Sequence, residues 1–193
     1  LGGLLLVVCL LGLGGCVFGS VDEMYALPKS SEAYVNLQAK INEEKGTGEY
    51  IAPLNGENRQ TIQLVDVDED GIQEAVAFFR DADADTPLRI VIFKQDDQGE
   101  YQVYARIQGV GSEIDSIEYV NLGGAGESDV LVSWQAGSSL RTLVGYTITD
   151  GQPTEIMRSA YDRYLTADLD GDGQEEVVLA QAEEESSSTR IEY

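Results

Sequence analysis

Two short acidic segments carry the residues of this sequence that are best suited to chemistry. Residues 66–78 read DVDEDGIQEAVAF and residues 168–180 read DLDGDGQEEVVLA, with aspartates at alternate positions, then a glycine and an apolar run. Alternate carboxylates in one tight loop converge on a point and repel each other, so a cation between them makes the arrangement favourable. Several hard oxygen ligands are the set that Ca²⁺ takes in proteins. Each segment is therefore a candidate calcium loop.

Two other interpretations of these segments have to be weighed. An EF-hand loop also begins DxDxDG, but it places an acidic residue at position 12 and continues into a helix. Position 12 is Ala77 in the first segment and Leu179 in the second, and both lie in strand-like runs. The sequence therefore disfavours an EF-hand. An acidic turn without a specific ion stays open, although two copies agree in frame.

Composition and charge narrow the range of functions. The 193 residues include 35 acidic and 12 basic side chains, and the net charge of −23 argues against nucleic acid as a partner. The chain has no histidine, which excludes histidine-dependent triads and HExxH zinc sites. GxSxG and P-loop motifs are absent as well. The sequence thus shows no catalytic residues, and we expect the chain not to be an enzyme.

The acidic segments lie among short predicted strands. Ahead of them, residues 32–44 predict a helix with Tyr34, Leu37 and Ile41 on one apolar face. From residue 50 onward, many short alternating or β-branched runs separated by turn residues predict an all-β sandwich, barrel or propeller. The predicted strands are TIQLVDV, EAVAFFR, LRIVIFK, YQVYARI, SIEYVNL, DVLVSWQ, LRTLVGYTI, EIMRSA, RYLTADL and EVVLAQA.

A repeat of roughly 50 residues organises these strands, and four strands in that length is the size of one propeller blade. The segments LVDVDEDGIQEAVAFF, YVNLGGAGESDVLVSW and LTADLDGDGQEEVVLA align with each other. The alignment puts the first loop residue, the loop glycine, the acid that opens the next strand and a later arginine in register. These residues are Asp66, Asn121 and Asp168; Gly71, Gly126 and Gly173; Glu74, Asp129 and Glu176; and Arg89, Arg141 and Arg190.

The two intact loops resemble FG-GAP/VCBS repeats, the calcium-loop blades of integrin-like β-propellers, and the resemblance covers about residues 50–193. It implies an all-β fold, a partial β-propeller of about three four-stranded blades. The blades would span residues 50–108, 109–155 and 156–193, the last incomplete. Because natural proteins avoid open strand edges, we expect the native protein to be longer or to need a partner that closes the fold.

The resemblance also implies the ligands of two Ca²⁺ sites and one degenerate loop. The first site would use side chains of Asp66, Asp68, Asp70 and Glu74 and the carbonyl of Ile72; the second would use Asp168, Asp170, Asp172 and Glu176 and the carbonyl of Gln174. The middle loop offers little coordination, and we expect it to keep its shape without a metal. Its corresponding residues are Asn121, Gly123, Ala125 and Asp129.

The first residues, LGGLLLVVCLLGLGGC, are similar to a bacterial lipoprotein signal peptide that ends in a lipobox. No charged n-region precedes the apolar run, so we expect the natural N-terminus to lie upstream. The similarity implies removal of residues 1–15 and lipidation of Cys16, with a tether over residues 16–30 and the helix and a linker over residues 31–49. Two acyl chains suffice for stable anchoring. An ordinary secretory signal or a transmembrane helix stays open.

Two functions from different classes follow. The first is a non-catalytic binding or scaffold protein, held by lipid on the extracellular face of the bacterial cell membrane, with a protein or glycan as its ligand. The alternative is a glycan-acting extracellular enzyme or subunit whose catalytic residues lie outside this chain. A calcium sensor that changes conformation is disfavoured by the strand context.

Overall fold

The described residues are all-β apart from one short helix, which confirms the predicted class. The computed structural model describes residues 32–68, 70–109, 111–123, 129–137, 140–182 and 189–192. All strand pairings in these ranges are antiparallel. The elements are α1 (Glu32–Lys45), β1 (Glu49–Tyr50), β2 (Ile62–Val65), β3 (Glu74–Arg80), β4 (Leu88–Gln95), β5 (Tyr101–Gln108), β6 (Glu113–Val120), β7 (Asp129–Ala136), β8 (Leu140–Thr149), β9 (Gln152–Ala160), β10 (Arg163–Ala167), β11 (Glu176–Ala182) and β12 (Thr189–Glu192).

The strands form three sheets in which every strand except β1 pairs with a strand next to it in sequence. The first sheet contains β2, β3, β4 and β5, with β1 also paired to β3; the second contains β6 to β9, and the third β10 to β12. The second sheet ends at Ala160, so the expected division between residues 155 and 156 falls inside β9. The long strand β8 causes this shift, because it pairs with β9 along nearly its whole length.

Strand β3 shows why its sequence, EAVAFFR, is apolar without interruption. Val76 and Phe78 belong to a core shared with the second sheet, whereas Ala77 and Phe79 belong to a core beneath α1. Successive residues of a strand point to opposite faces, and a strand covered on both faces needs apolar residues at every position. The first sheet is therefore a central layer between α1 and the second sheet.

The second sheet is covered on both faces in the same way. Trp134 is 1% exposed in the core between the first two sheets, on the same side as Val132. Leu131 and Leu143 point the other way and pack with Leu179 of the third sheet. The order of layers is thus α1, first sheet, second sheet and third sheet.

Helix α1 packs through a slightly different face from the one predicted. Leu37 and Ile41 are buried against the first sheet as expected, but Tyr34 is 53% exposed. Ala33, four residues before Leu37, takes the third position on the face of the helix that packs against the first sheet. A helix advances about 100° per residue, so using Ala33 turns Tyr34 away from the sheet. The helix ends at Lys45, and the next residue, Gly46, has a φ of 52°, the left-handed value typical of a C-terminal cap.

Within the ranges described, no helix has the length and apolar character needed to cross a membrane. The predicted signal segment, the lipidated Cys16 and the tether lie outside the described residues.

Candidate metal centre

The three acidic or degenerate loops occupy the same position in the three sheets. Leaving aside the two-residue strand β1, each loop connects the first strand of a sheet to the second: β2 to β3, β6 to β7, and β10 to β11. The strand pairs that close the loops are Val65 with Glu74, Val120 with Asp129, and Ala167 with Glu176. These are the positions that the sequence repeat aligns. The aligned acids therefore hold equivalent positions in the three sheets.

One carboxylate closes each loop by accepting a backbone hydrogen bond. Glu74 Oε2 accepts from the amide of Val67 at 2.7 Å, and Glu176 Oε2 accepts from the amide of Leu169 at 2.7 Å. In the middle loop, Asp129 Oδ2 accepts from the amide of Leu122 at 3.1 Å. We call this seven-residue contact the carboxylate clasp. It fixes the acid that opens the second strand against the start of its own loop.

The first and third loops share a second set of contacts. Asp66 Oδ2 accepts from the amide of Gly71 at 2.9 Å, and Asp168 Oδ2 accepts from the amide of Gly173 at 3.0 Å. The two glycines have backbone φ angles of 87° and 91°, which residues with a Cβ rarely adopt. These bends turn the chain back so that the loop wraps around its own aspartates.

The predicted aspartate ligands come together in both loops. Carboxylate oxygens of Asp66, Asp68 and Asp70 lie within 4.8 Å of one another, and the same holds for the trio Asp168, Asp170 and Asp172. Both trios could hold a metal ion. The first trio is half-buried except for Asp70, whereas the third-loop trio is exposed.

The first loop contains carboxylate oxygens that a cation would satisfy. Asp66 Oδ1, Asp68 Oδ1 and Glu74 Oε1 are buried without a hydrogen-bond partner among the described residues. Glu74 is 1% exposed, and this burial raises the pKa of its carboxyl group despite the hydrogen bond from Val67. A buried acceptor without a partner is costly, and Ca²⁺ uses oxygen ligands of this kind. The donor set of the loop therefore fits a hard divalent cation, which would neutralise the carboxylates and tie the two strands together.

The expected carbonyl ligands belong to residues that directly follow the two glycines. The amide of Ile72 donates to Asp70 Oδ1 at 2.7 Å, and the amide of Gln174 donates to Asp172 Oδ1 at 2.8 Å. The two residues thus occupy equivalent places in their loops. A ligand role for their carbonyl groups stays a prediction.

A basic side chain that the loop sequence does not predict enters the first loop. Lys94 Nζ forms ion pairs with Asp68 and with Asp70, the latter at 2.9 Å. Burial opposes the charge of Lys94, but hydrogen bonds to both aspartates outweigh it and the pKa of Lys94 lies above its ordinary value. The hydrogen bond from Lys94, with that from the amide of Ile72, lowers the pKa of Asp70. An ammonium group therefore neutralises part of the first trio.

The third loop differs in this respect. Within the described parts of the chain, no lysine or arginine forms an ion pair with Asp168, Asp170 or Asp172. The aspartates instead accept backbone hydrogen bonds, such as that from Gly171 to Asp168 Oδ1 at 2.7 Å. Within the described ranges, the groups that compensate the negative charge of this trio are amide N–H groups.

The middle loop keeps the clasp but replaces the acidic trio. Asp129 is 2% exposed and accepts hydrogen bonds from the amide of Leu122 and from the hydroxyl of Thr147. The carbonyl of Asn121 accepts from the amide of Glu175 at 2.7 Å, which joins the middle loop to the third. Gly123 is described, whereas Ala125 lies outside the described residues. The expected lack of a metal here stays a prediction.

Lys94 and Thr147 could be found only through the strand register. Ala75 pairs with Phe93 and Val130 pairs with Tyr146, so the next positions place Lys94 opposite Glu74 and Thr147 opposite Asp129. The one available signal was a lysine at the end of the apolar run LRIVIFK. The three sheets and these loops define an all-β protein with two acidic loops that could hold a metal ion.

Comparison with known proteins adds little to this description. No protein-family model matches the sequence, and no curated protein matches it. A solved structure described as "Structure of a Xanthomonas Type IV Secretion System related protein" is similar at a TM-score of 0.35 and 12% sequence identity. The match covers 73% of this chain and 63% of that chain. A likeness at this TM-score carries no argument about fold or function.

Proposed function

We propose that this chain is a non-catalytic binding or scaffold module whose β-propeller blades are stabilised by calcium. Its three sheets would be successive blades, and a lipid on Cys16 would hold it at the extracellular face of the bacterial cell membrane. The observation that carries the calcium part is the duplicated loop: the same aspartate-to-glycine contact, clasp and acidic trio occur between the first two strands of two separate sheets.

The two loops are not equivalent under this proposal. Among the described residues, no ammonium group competes for the carboxylates of the third loop, whereas an ion in the first loop has to displace Lys94 from Asp68 and Asp70. Like charges within a few ångströms repel strongly. The third loop is therefore the tighter calcium site, and the first loop binds more weakly.

The layered packing explains how an ion would act on the whole fold. The third loop is hydrogen-bonded to the middle loop through Glu175 and Asn121, and Leu179 in β11 packs against the second sheet. An ion that orders the third loop also orders the start of β11. Calcium would thus stabilise the contact between the last two sheets.

Thermal unfolding of the full chain tests the calcium proposal. Extracellular calcium modules have dissociation constants of about 10⁻⁴–10⁻³ M, so 10 mM Ca²⁺ should raise the melting temperature by roughly 3–10 °C over chelator. Mg²⁺ at the same concentration should give a much smaller rise. The double variant Asp168→Asn, Asp170→Asn should lose most of the effect.

A matched control separates ion binding from general screening of negative charge. Asp83 and Asp85 are exposed aspartates in the β3–β4 connection, outside the acidic trios. The double variant Asp83→Asn, Asp85→Asn should keep the full calcium-dependent rise. An equal rise with Mg²⁺, or a rise unchanged in the third-loop variant, would contradict the proposal.

A further inference from the structure

A polar cleft lies where the third sheet meets the second, away from the acidic loops. Its volume is about 460 Å³, within the range of small-molecule sites. Apart from Gly56, every described residue that lines it carries a carboxylate, guanidinium, amide, hydroxyl or phenol group. The segment before β2 contributes Asn55, strand β6 contributes Asp115, and β10 contributes Tyr164. Three parts of the repeat region therefore converge on one concave surface.

The floor of the cleft is a buried carboxylate in a fixed orientation. Asp115 is 6% exposed, and its Oδ1 accepts a hydrogen bond from Asn55 Nδ2 at 2.9 Å. The hydroxyl groups of Tyr161 and Ser133 donate to its Oδ2 at 3.4 Å and 3.5 Å. The charge of Asp115 is thus held by neighbours before any ligand arrives.

One wall of the cleft is built from a second carboxylate and two phenol rings. Glu118 accepts hydrogen bonds from the hydroxyl groups of Tyr164 at 2.6 Å and Thr166 at 3.0 Å. The rings of Tyr161 and Tyr164 meet edge to face with centroids 5.0 Å apart. Packed rings and hydrogen-bonded acids lose little conformational entropy on binding, so this wall is preorganised.

The hydrogen-bond donors of the cleft have fewer partners among the described residues than its acceptors have. Arg141 Nε lies 3.4 Å from Asp115 Oδ1, yet this N–H is buried and has no hydrogen-bond partner among the described residues. Arg163 also lines the cleft, and its exposed guanidinium forms no ion pair with a described residue. A buried donor without an acceptor is unfavourable. The side chain of Arg141 is nevertheless 40% exposed, so its other N–H groups can donate to a ligand oxygen.

The mixture of positive and negative side chains indicates which class of ligand fits the cleft. Guanidinium donors at Arg141 and Arg163 lie among carboxylates at Asp115, Glu118 and Asp162. An anion would meet the carboxylates, and a cation would meet the guanidinium groups. A hydroxyl group both donates and accepts, so neighbouring hydroxyls fit donors and acceptors that alternate. We propose that this cleft binds a neutral saccharide, with Arg141 and Arg163 donating to its hydroxyl groups and the two tyrosines contacting its ring.

The proposal names the ligand of the binding role proposed above and does not depend on the calcium sites. The test is saturation-transfer NMR on the full chain in 10 mM Ca²⁺, with cellobiose, maltose and N,N′-diacetylchitobiose as neutral probes. Digalacturonate and spermidine serve as the anionic and cationic probes. At least one neutral disaccharide should give a transfer signal that the charged probes do not give.

Variants assign the signal to the cleft. Arg141→Gln and Arg163→Gln should each weaken binding at least tenfold, whereas Arg158→Gln should not change it. Arg158 is a suitable control because it lies on β9 and pairs with Glu155 outside the cleft. Arg163 is exposed, so Arg163→Gln keeps the test informative if Arg141→Gln fails to fold.

Three results would overturn the saccharide proposal: no signal from any neutral probe, a signal from a charged probe alone, or binding that survives both arginine variants. The calcium-dependent melting shift is measured on the same samples. A normal shift without saccharide binding removes the cleft proposal alone, and a missing shift with saccharide binding removes the calcium proposal alone.

Discussion

Lys94 places a positive charge inside a cluster that is otherwise built for a cation. Its ammonium group contacts Asp68 and Asp70, while one oxygen each of Asp66, Asp68 and Glu74 stays buried and unsatisfied. The lysine therefore compensates the charge of the loop without filling its oxygen ligand set. A residue at this position sets how strongly the loop depends on an external ion.

The substitution Lys94→Met should tighten calcium binding at the first loop. Removing a unit charge a few ångströms from the ion is worth on the order of 1–4 kcal/mol, so affinity should rise roughly tenfold or more. Isothermal titration should then show two binding events of similar strength in place of one strong and one weak event. Without calcium, the variant should melt at a lower temperature than the wild type because Asp68 and Asp70 lose their partner.

A lysine on α1 provides the control for this prediction. Lys40 is half-buried on the helix and forms no ion pair with a described residue. Lys40→Met should leave both binding events unchanged. Equal calcium affinity in the Lys94→Met variant and the wild type would show that the ammonium group does not compete with the ion.

The sequence predicted the residue types of the acidic loops, but it did not predict that Lys94 contacts the first loop. Asp66 and Asp168 align because spacing along one chain is visible in the sequence. Lys94 reaches the loop across two strands, and that contact depends on the register of β4 against β3. Register depends on turn geometry and on packing of both faces, which a single sequence leaves undetermined.

At the scale of elements, the carboxylate clasp is the feature common to all three loops. The middle loop shows that the clasp works without an acidic trio, because Asp129 gains a hydrogen bond from Thr147 in the place where Lys94 lies in the first sheet. Strand pairing at this loop therefore does not require the acidic trio. The clasp sets the strand geometry, and the trio adds charge.

Loss of the clasp should destabilise the protein whether or not calcium is present. Asp129→Ala leaves the amide of Leu122 and the hydroxyl of Thr147 without their acceptor, which should cost about 2–4 kcal/mol of unfolding free energy. Urea denaturation in chelator measures this loss. The exposed aspartate variant Asp172→Ala should stay within about 0.5 kcal/mol of the wild type under the same conditions. Similar losses in both variants would refute a structural role specific to the clasp.

Helix α1 should contribute to stability through one narrow apolar stripe. Ile41 is 1% exposed and packs with residues of the first sheet, so Ile41→Ala should cost about 2–4 kcal/mol. Val35, on the opposite side of the helix, is 61% exposed, and Val35→Ala should change stability by less than about 0.5 kcal/mol. Urea denaturation measures the unfolding free energy of both variants. Equal losses in the two variants would show that the helix does not pack on the sheet through Ile41.

The elements themselves were largely predictable. Alternation and turn residues located the strands to within a few residues, since both are local properties of the chain. The prediction began β9 at Glu155, whereas the strand starts at Gln152 and includes Pro153. The face of α1 was misjudged because Ala33 is a weak hydrophobic signal beside Tyr34. Packing against the sheet favoured the smaller residue.

At the scale of the whole molecule, the stacked layers bury several tyrosines away from water. Desolvation raises the pKa of the phenols of Tyr119, Tyr146, Tyr161 and Tyr164, and the hydrogen bond to Glu118 raises that of Tyr164 further. A phenol whose pKa is higher in the folded state stabilises the fold below about pH 10, its ordinary value. That stabilisation is lost as the pH rises toward the folded-state value.

Alkaline titration should therefore reveal four tyrosines that ionise late. Absorbance at 295 nm should show these phenols ionising only well above pH 10, together with loss of the β-sheet circular dichroism signal. In 8 M urea, all tyrosines should titrate as one group. A single transition near pH 10 in the folded protein would mean that the layers do not shield these phenols.

The pairing of each strand with its neighbours in sequence has a consequence for the order in which the protein forms during synthesis. Contacts inside each sheet join residues that leave the ribosome one after another, and such contacts form quickly. The segment before β2 is an exception: the amides of Leu54 and Asn55 donate to the carbonyls of Ile114 and Asp115, at the start of β6. The first sheet can therefore form as soon as β5 has emerged. The segment before β2 can make its hydrogen bonds only after β6 has emerged, and these bonds then join the first sheet to the second.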